Sequence, residues 1–148
     1  MKMGSWKHFR IAHALAAAVL ISGGLACDDG LPVPPEEFEP VGTWTATAFT
    51  AAFPGQTYDV LAEGGSIDVV LHPNGTISGT YVWPGLDGTE SYDLELEGTW
   101  TREGQNRVYF THQEGPYLRY VLFAGGGNQM AGEGSADGVI VNIVLRRG

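Results

Sequence analysis

Between Val41 and Arg147 the chain alternates apolar and polar residues with a period of two, and glycine-rich breaks divide it into short segments. The clearest segment is Ser91–Thr101. One of its faces carries Tyr92, Leu94, Leu96, Gly98 and Trp100, and the other carries Asp93, Glu95, Glu97 and Thr99. A period of two is the repeat of a β-strand, whereas a helix repeats every 3.6 residues. The pattern therefore predicts strands with one buried face and one solvated face.

Eight or nine such segments follow one another, and none has the period of a helix. The predicted strands are Gly42–Ala51, Gln56–Ala62, Ile67–His72, Ile77–Trp83, Ser91–Thr101, Arg107–Gln113, Leu118–Ala124, Gln129–Gly134 and Val139–Arg147. Short turns rich in Gly, Asn and Asp join them. The turn Pro73-Asn74-Gly75 is a strong hairpin signal, because Asn and Gly tolerate the positive φ of a tight turn. The sequence thus predicts an all-β fold, a single antiparallel meander.

The last predicted strand indicates how the meander ends. Val139–Leu145 is almost continuously apolar, and an exposed edge strand of that kind would promote aggregation. Pairing on both sides removes the edge, and a meander achieves this by closing on itself. We therefore expect a small barrel of about eight strands, a size that side chains can fill or that can hold one small ligand.

The first 26 residues have the organisation of an export signal. Lys2, Lys7 and Arg10 precede an apolar run over residues 11–21, and small residues occupy positions 22–26. This order of basic, apolar and small-residue regions is typical of a secretory signal peptide. The apolar run is about a dozen residues long, whereas a membrane-spanning helix needs about 20. We expect residues 1–26 to be cleaved from the mature protein.

Cys27, the only cysteine, follows directly. The stretch Leu25-Ala26-Cys27 resembles the lipobox of bacterial lipoproteins. That resemblance implies cleavage before Cys27, acylation of Cys27 with lipid such as palmitate, and a membrane anchor in the bacterial cell envelope facing the periplasm or the exterior. The alternative is an ordinary signal peptide with a cysteine nearby. An unpaired thiol in an oxidising compartment is a liability, which favours the modified cysteine.

Residues 27–40 have the composition of a tether. Four prolines, at positions 32, 34, 35 and 40, stand among acidic residues. Proline opposes helix formation and favours the extended polyproline conformation, which spans about 3.1 Å per residue. The expected organisation is a signal peptide over residues 1–26, a lipidated cysteine and tether over 27–40, and one barrel domain over 41–148.

The charge of the mature chain excludes some partners. Seventeen acidic residues against five arginines and no lysine leave a net charge of −12 after residue 26. Such a surface repels nucleic acid and anionic lipid headgroups. It also attracts basic proteins, which makes a basic protein partner the second expectation beside simple solubility.

A second resemblance concerns the barrel itself. Gly42-Thr43-Trp44 opens the first predicted strand, and the same triplet recurs as Gly98-Thr99-Trp100. A Gly-x-Trp at the start of an antiparallel meander resembles the lipocalins and bacterial lipocalin-like domains. In that family the tryptophan closes the floor of the barrel against an arginine. The resemblance implies that Trp44 does so here, with Arg146 or Arg147 supplying the cation–π contact.

Aromatic residues are concentrated on the predicted inward faces. We expect them either to form the core or to line a ligand cavity, and the predicted ligand-binding set is Trp44, Tyr81, Trp83, Tyr92, Trp100, Phe110 and Tyr120. Four glycines on the same faces, at positions 79, 98, 132 and 134, are expected to leave room for a small hydrophobic ligand. An eight-stranded barrel can be filled by such side chains or can hold one small ligand, and both alternatives stay open.

Enzymatic motifs are scarce. The mature chain has two histidines, His72 and His112, and contains no Gly-x-Ser-x-Gly nucleophile motif, phosphate loop or dinucleotide fingerprint. His72 with Asp68 and His112 would make a poor metal site, because histidines at strand edges are usually solvated. We therefore expect no catalytic residues, no metal and no cofactor.

Two functional hypotheses follow from the sequence. The first is a non-enzymatic, lipid-anchored envelope protein that binds a small apolar or amphipathic ligand in its barrel. The alternative is an acidic protein-interaction module, either a subunit of an envelope assembly or an inhibitor of a basic hydrolase.

Overall fold

Nine antiparallel strands and one short 3₁₀ turn make up the fold in a computed structural model that describes residues 38–112, 117–119 and 121–148. These residues belong to one unit, Pro34–Gly148. The strands are β1 (Gly42–Phe53), β2 (Gln56–Asp59), β3 (Ser66–Leu71), β4 (Thr76–Trp83), β5 (Tyr92–Glu103), β6 (Arg107–His112), β7 (Leu122–Gly126), β8 (Gln129–Ala136) and β9 (Val139–Arg147). The 3₁₀ turn covers Leu86–Gly88. The predicted all-β class is confirmed.

The sheet closes on itself. Neighbours in sequence pair in antiparallel fashion from β3 to β9, and β9 pairs with β1 from Arg147↔Trp44 to Ile140↔Ala52. The first half of β1 also pairs with β3, and its second half pairs with β2, the short return strand of the first hairpin. β1 and β3–β9 therefore form a closed eight-stranded barrel. As predicted, β9 is paired on both sides.

A β-bulge interrupts β1. Ala46 pairs with Leu145, and Ala48 pairs with Val144. Leu145 and Val144 are consecutive on β9, so Thr47 is the extra residue on β1. Trp44 lies inside before the bulge and Phe49 lies inside after it, and both are fully buried. Because a bulge adds one residue to one strand, it reverses which of the following side chains face the core.

The barrel interior is apolar. Every fully buried residue in the described part of the chain is aliphatic, aromatic, methionine, glycine or proline. The outward residues of β5 include Asp93, Glu95 and Glu97, and all three are exposed. The predicted separation into a buried face and a wet face on this strand is confirmed.

Several strand boundaries differ from the predicted ones, among them the end of β2 at Asp59 rather than Ala62, and two differences change the core. β7 begins at Leu122 rather than Leu118, because residues 117–119 form a turn that inserts Tyr117 and Leu118 into the core. At the predicted start of the barrel domain, Phe38 is buried among core residues. Packing therefore extends three residues before position 41, into the stretch described above as a tether.

The predicted hairpin at Asn74-Gly75 is present with one difference in its backbone. Gly75 alone of the pair has a positive φ, 84°. Asn74 instead uses its side-chain oxygen, which accepts a hydrogen bond from the Thr76 backbone N–H at 3.0 Å. An Asn side chain often organises a turn in this way.

No helix in the described residues has the length and apolar character required to cross a membrane.

Candidate functional site

The two ends of the barrel differ in how they are filled. At the end where β1 begins, the side chain of Trp44 is fully buried. Its indole N–H donates to the carbonyl oxygen of Pro40 at 2.7 Å. The guanidinium carbon of Arg147 lies 5.0 Å from the centroid of the Trp44 rings. The cation–π contact expected from the lipocalin resemblance is present, with Arg147 as the partner.

The segment before β1 seals this end. The ring of Phe38 lies 6.0 Å from that of Trp44, at an angle of 55°. Arg102 donates to the carbonyl oxygen of Phe38 at 2.8 Å, and Arg147 donates to the carbonyl oxygen of Glu39. The side chain of Trp44 is therefore engaged in closing the barrel. We refer to this region as the closed end.

Two other residues of the predicted ligand-binding set lie away from the opposite end. Trp100 is half-buried, and its indole N–H donates to the carbonyl oxygen of His72 at 2.9 Å, in the turn that joins β3 and β4 at the closed end. Phe110 is fully buried and packs on Phe123 with the ring centroids 5.0 Å apart. Both residues make structural contacts in the core or at its edge.

The opposite end is lined by aromatic side chains, and we call it the aromatic end. It contains Phe49, Phe53, Tyr58, Tyr81, Trp83, Tyr92 and Tyr117. Trp83 is at the centre, with ring centroids 4.3 Å from Tyr117, 5.9 Å from Phe49 and 6.4 Å from Phe53. Tyr81, Trp83 and Tyr92 of the predicted set meet here, because β4 ends and β5 begins at this end, with Trp83 paired to Tyr92.

The sequence analysis missed four members of the aromatic end: Phe49, Phe53, Tyr58 and Tyr117. Alternation counted from Trp44 places Phe49 and Phe53 on the outer face, and only the bulge at Thr47 returns them to the interior. Tyr117 enters from a turn rather than from a strand, so period-two alternation carries no signal for it.

The indole of Trp83 is held by the loop between β4 and β5. Its N–H donates to the Thr89 hydroxyl at 2.9 Å, and that hydroxyl donates to the carbonyl oxygen of Leu86 at 2.6 Å. Leu86 is itself buried. The Trp83 ring thus has a fixed orientation, and its apolar faces remain for packing against other rings.

The hydroxyl of Tyr81 differs from the other polar groups of this end. The side chain is fully buried, and its hydroxyl oxygen has no hydrogen-bond partner in the described part of the structure. Burial raises the pKa of the Tyr81 phenol well above its usual value, and the nearby phenols of Tyr117 and Tyr92 raise it further. The group is therefore a neutral hydrogen-bonding phenol inside an apolar barrel.

Carboxylates surround the rim of the aromatic end. Burial raises the pKa of the Tyr58 phenol, and the nearby carboxylate of Asp87 raises it further. The pKa of Tyr117 is raised first by burial and then by the charge of Asp137, which lies in the β8–β9 turn. The mouth of this end is therefore acidic, whereas its interior is apolar.

The inward glycines create less space than the sequence predicts. A Cβ at Gly132 would lie 2.5 Å from a methyl carbon of Val121, so that side chain already occupies the position. Gly79 has φ 149°, and a Cβ there would lie 2.0 Å from the carbonyl oxygen of Asp68. These two glycines permit close packing of neighbouring groups and leave no open volume at their own positions.

Two of the three residues considered for a metal site, His72 and Asp68, have other partners, and the side chain of His112 lies outside the described part of the structure. The Nε2 atom of His72 lies 2.8 Å from the Ser78 hydroxyl, and Asp68 accepts a hydrogen bond from Thr45 at 2.6 Å. Among the described residues no group of three or more His, Cys, Asp or Glu side chains has the proximity needed to bind a metal ion.

Two predicted site residues, Cys27 and Tyr120, lie outside the described residues.

Comparison with known proteins gives no relatives. No protein-family model, no curated protein and no solved structure matches the chain.

Proposed function

We propose that this protein is a lipid-anchored component of the bacterial cell envelope whose barrel binds a small apolar or amphipathic molecule at the aromatic end. The supporting observation is the set of seven aromatic side chains at this end, with Trp83 at its centre; three of the seven remain half-exposed at the rim. Binding sites for small molecules are lined mainly by hydrophobic and aromatic residues, with few polar groups. The closed end, by contrast, is filled by the protein's own N-terminal segment.

The proposed role is that of a carrier or receptor rather than an enzyme. The aromatic end contains phenols, an indole and rim carboxylates, and among its described residues there is no nucleophile with an adjacent base. Acylation of Cys27 would hold the barrel at a membrane, which is the source of apolar and amphipathic molecules in an envelope.

Native mass spectrometry of the protein, extracted in mild detergent from its own membrane, tests both parts of the proposal. We expect a diacylated mass that begins at Cys27 and carries one additional small molecule. An acylated protein without cargo would contradict ligand binding, and an unacylated protein would contradict the anchor.

A matched pair of variants tests whether the ligand binds at the aromatic end. Full-length protein in lipid nanodiscs is titrated with N-phenyl-1-naphthylamine, and energy transfer from tryptophan is measured against empty nanodiscs. We expect Trp83→Leu to abolish specific binding and Met130→Leu, at a buried position in the other half of the barrel, to retain it. Equal loss in both variants, or binding retained by Trp83→Leu, would argue against the aromatic end.

The second candidate function is an acidic interaction surface. Its supporting observation is the row of exposed carboxylates Asp93, Glu95 and Glu97 on the outer face of β5. Charge complementarity accelerates association with basic partners and is screened by salt. Binding of a basic hydrolase such as lysozyme that disappears in 0.5 M NaCl, and that is lost when the three carboxylates are neutralised, would favour this function over ligand binding.

A further inference from the structure

The buried hydroxyl of Tyr81 makes no hydrogen bond within the described part of the fold. The ring packs 6.3 Å from the ring of Phe49 at the aromatic end, an apolar contact that phenylalanine would make equally well. The hydroxyl oxygen is inaccessible to solvent and has no partner in the described part of the chain. Buried polar groups in folded proteins are nearly always hydrogen-bonded, so an exception calls for a physical explanation.

The surroundings of this hydroxyl define what would satisfy it. No fully buried residue in the described ranges carries a charge. Arg147, at the closed end, is half-buried, and the other four arginines among the described residues are exposed. A charged group brought to Tyr81 would therefore lose its hydration without gaining an adjacent counter-ion, because Asp87 and Asp137 lie at the rim and only the phenols of Tyr117 and Tyr92 act on the Tyr81 hydroxyl. Such a loss of hydration is strongly unfavourable. The partner of this hydroxyl must be uncharged.

The neighbouring side chains define the shape of such a partner. The ring planes of Phe49 and Trp83 are inclined at 52°, and those of Trp83 and Tyr117 at 34°. Flat apolar groups pack against such rings in offset or tilted arrangements. A ligand seated here would be ring-shaped and apolar, apart from the atom that meets the phenol.

We infer that the aromatic end binds an uncharged aromatic or polycyclic molecule that carries one hydrogen-bonding oxygen or nitrogen, and that this atom pairs with the hydroxyl of Tyr81. The inference rests on the proposed function and makes it more specific, since it adds the polar group of the ligand and the residue that recognises it. Tyr81 thereby acts as the specificity-determining residue of the barrel.

Two probes of the same shape test this recognition. The probes are 2-acetylnaphthalene and 2-isopropenylnaphthalene, which differ in having a C=O or a C=CH₂ group. Each is titrated by energy transfer from tryptophan into full-length protein in nanodiscs, with empty nanodiscs as the blank. The proteins compared are wild type, Tyr81→Phe, and the control Tyr109→Phe, whose phenol is half-buried on the outer face of β6.

The expected result is a preference for the ketone that depends on Tyr81. For each protein, the affinity for the ketone is divided by the affinity for the hydrocarbon. This ratio should be about tenfold higher in wild type and in Tyr109→Phe than in Tyr81→Phe, which is the effect of one hydrogen bond. Tyr81→Phe should still bind the hydrocarbon. Without probe, its thermal unfolding midpoint should equal or exceed that of wild type, because the substitution removes an unsatisfied group.

Three results would overturn the inference in distinguishable ways. If wild type binds both probes with equal affinity, the proposed function stands but recognition by Tyr81 fails. If Tyr81→Phe unfolds at a lower temperature than wild type, the hydroxyl has a partner within the folded chain. If neither probe binds any of the three proteins, the proposed function itself fails.

Discussion

Single atoms decide how the closed end is packed, and Gly125 is the clearest case. A Cβ built on this residue would lie 2.1 Å from a ring carbon of Phe38. Phe38 is buried, and its carbonyl oxygen is held by Arg102 at 2.8 Å, so the ring has little freedom to move away. Glycine at position 125 is thus a packing requirement of the segment that seals the barrel.

We expect Gly125→Ala to lower the free energy of unfolding by about 1–3 kcal/mol, the usual effect of overpacking a core. Gly126→Ala is the matched control, because a Cβ there meets nothing within 4 Å. Denaturant unfolding of both variants measures the difference. Equal stability of the two variants would mean that Phe38 is not seated against β7.

The tyrosines of the aromatic end make the free energy of unfolding depend on pH in the alkaline range. Burial raises the pKa of Tyr81 in the folded state above its ordinary value of 10.0. Below pH 10 the Tyr81 phenol is neutral in both the folded and the unfolded state, so its ionisation does not reduce the free energy of unfolding. Above pH 10 the unfolded state releases the proton while the folded state retains it, and stability therefore falls as pH rises.

Unfolding free energies measured between pH 8 and pH 12 check this expectation. We expect the decline above pH 10 to be shallower in Tyr81→Phe than in wild type, by up to about 1.4 kcal/mol per pH unit for one tyrosine. An identical slope in the two proteins would show that Tyr81 ionises equally in both states.

At the scale of the element, the bulge in β1 is the feature that organises the barrel interior. It allows Trp44 at the closed end and Phe49 at the aromatic end to face inward, although they are five positions apart and regular alternation would place them on opposite faces. Bulges also increase local twist, which helps a strand follow a barrel wall. β1 contacts both β3 and β9, so its course affects the whole closure.

Deletion of Thr47 tests this account. Without the extra residue the alternation from Trp44 to Phe49 becomes regular, and both side chains can remain inside. We expect a folded barrel with a loss of no more than about 2 kcal/mol in unfolding free energy.

The control deletion removes Asn142, an exposed residue of β9 with regular pairing on both sides. It places Val141 and Ile143 on opposite faces, and the chain should then fail to fold. Circular dichroism and thermal unfolding of the two deletions measure the contrast. Comparable damage in both would show that the bulge is required for closure.

At the scale of the molecule, the acidic surface opposes the folded state through charge repulsion. Seventeen acidic residues and five arginines lie after residue 26, and the row Asp93, Glu95 and Glu97 is exposed on one strand. Repulsion among surface charges acts over about 10 Å at 0.1 M salt and is screened at higher concentration.

We therefore expect the thermal unfolding midpoint to rise by about 3 °C between 20 mM and 500 mM NaCl. Glu95→Gln, between two other carboxylates, should raise the midpoint at low salt and have no effect at high salt. Glu133→Gln on β8, whose cross-strand neighbours are Leu122 and Asn142, serves as the control and should have a smaller effect. A midpoint that falls with salt would contradict net repulsion.

The sequence by itself determined the class of the fold, the approximate position of each strand and the closure of the meander. These properties are local, because period two, turn residues and an apolar last strand are read from neighbouring positions. The Gly-x-Trp motif also indicated the contact between Trp44 and Arg147.

Only the tertiary structure decided which aromatic residues meet. Phe49 faces inward because of a bulge defined by the register between β1 and β9, and Tyr117 reaches Trp83 from a turn outside the alternation. That the Tyr81 hydroxyl has no hydrogen-bond partner among the described residues is evident only from the positions of all its neighbours. Register and burial depend on contacts between residues far apart in sequence, and a local pattern carries no information about them.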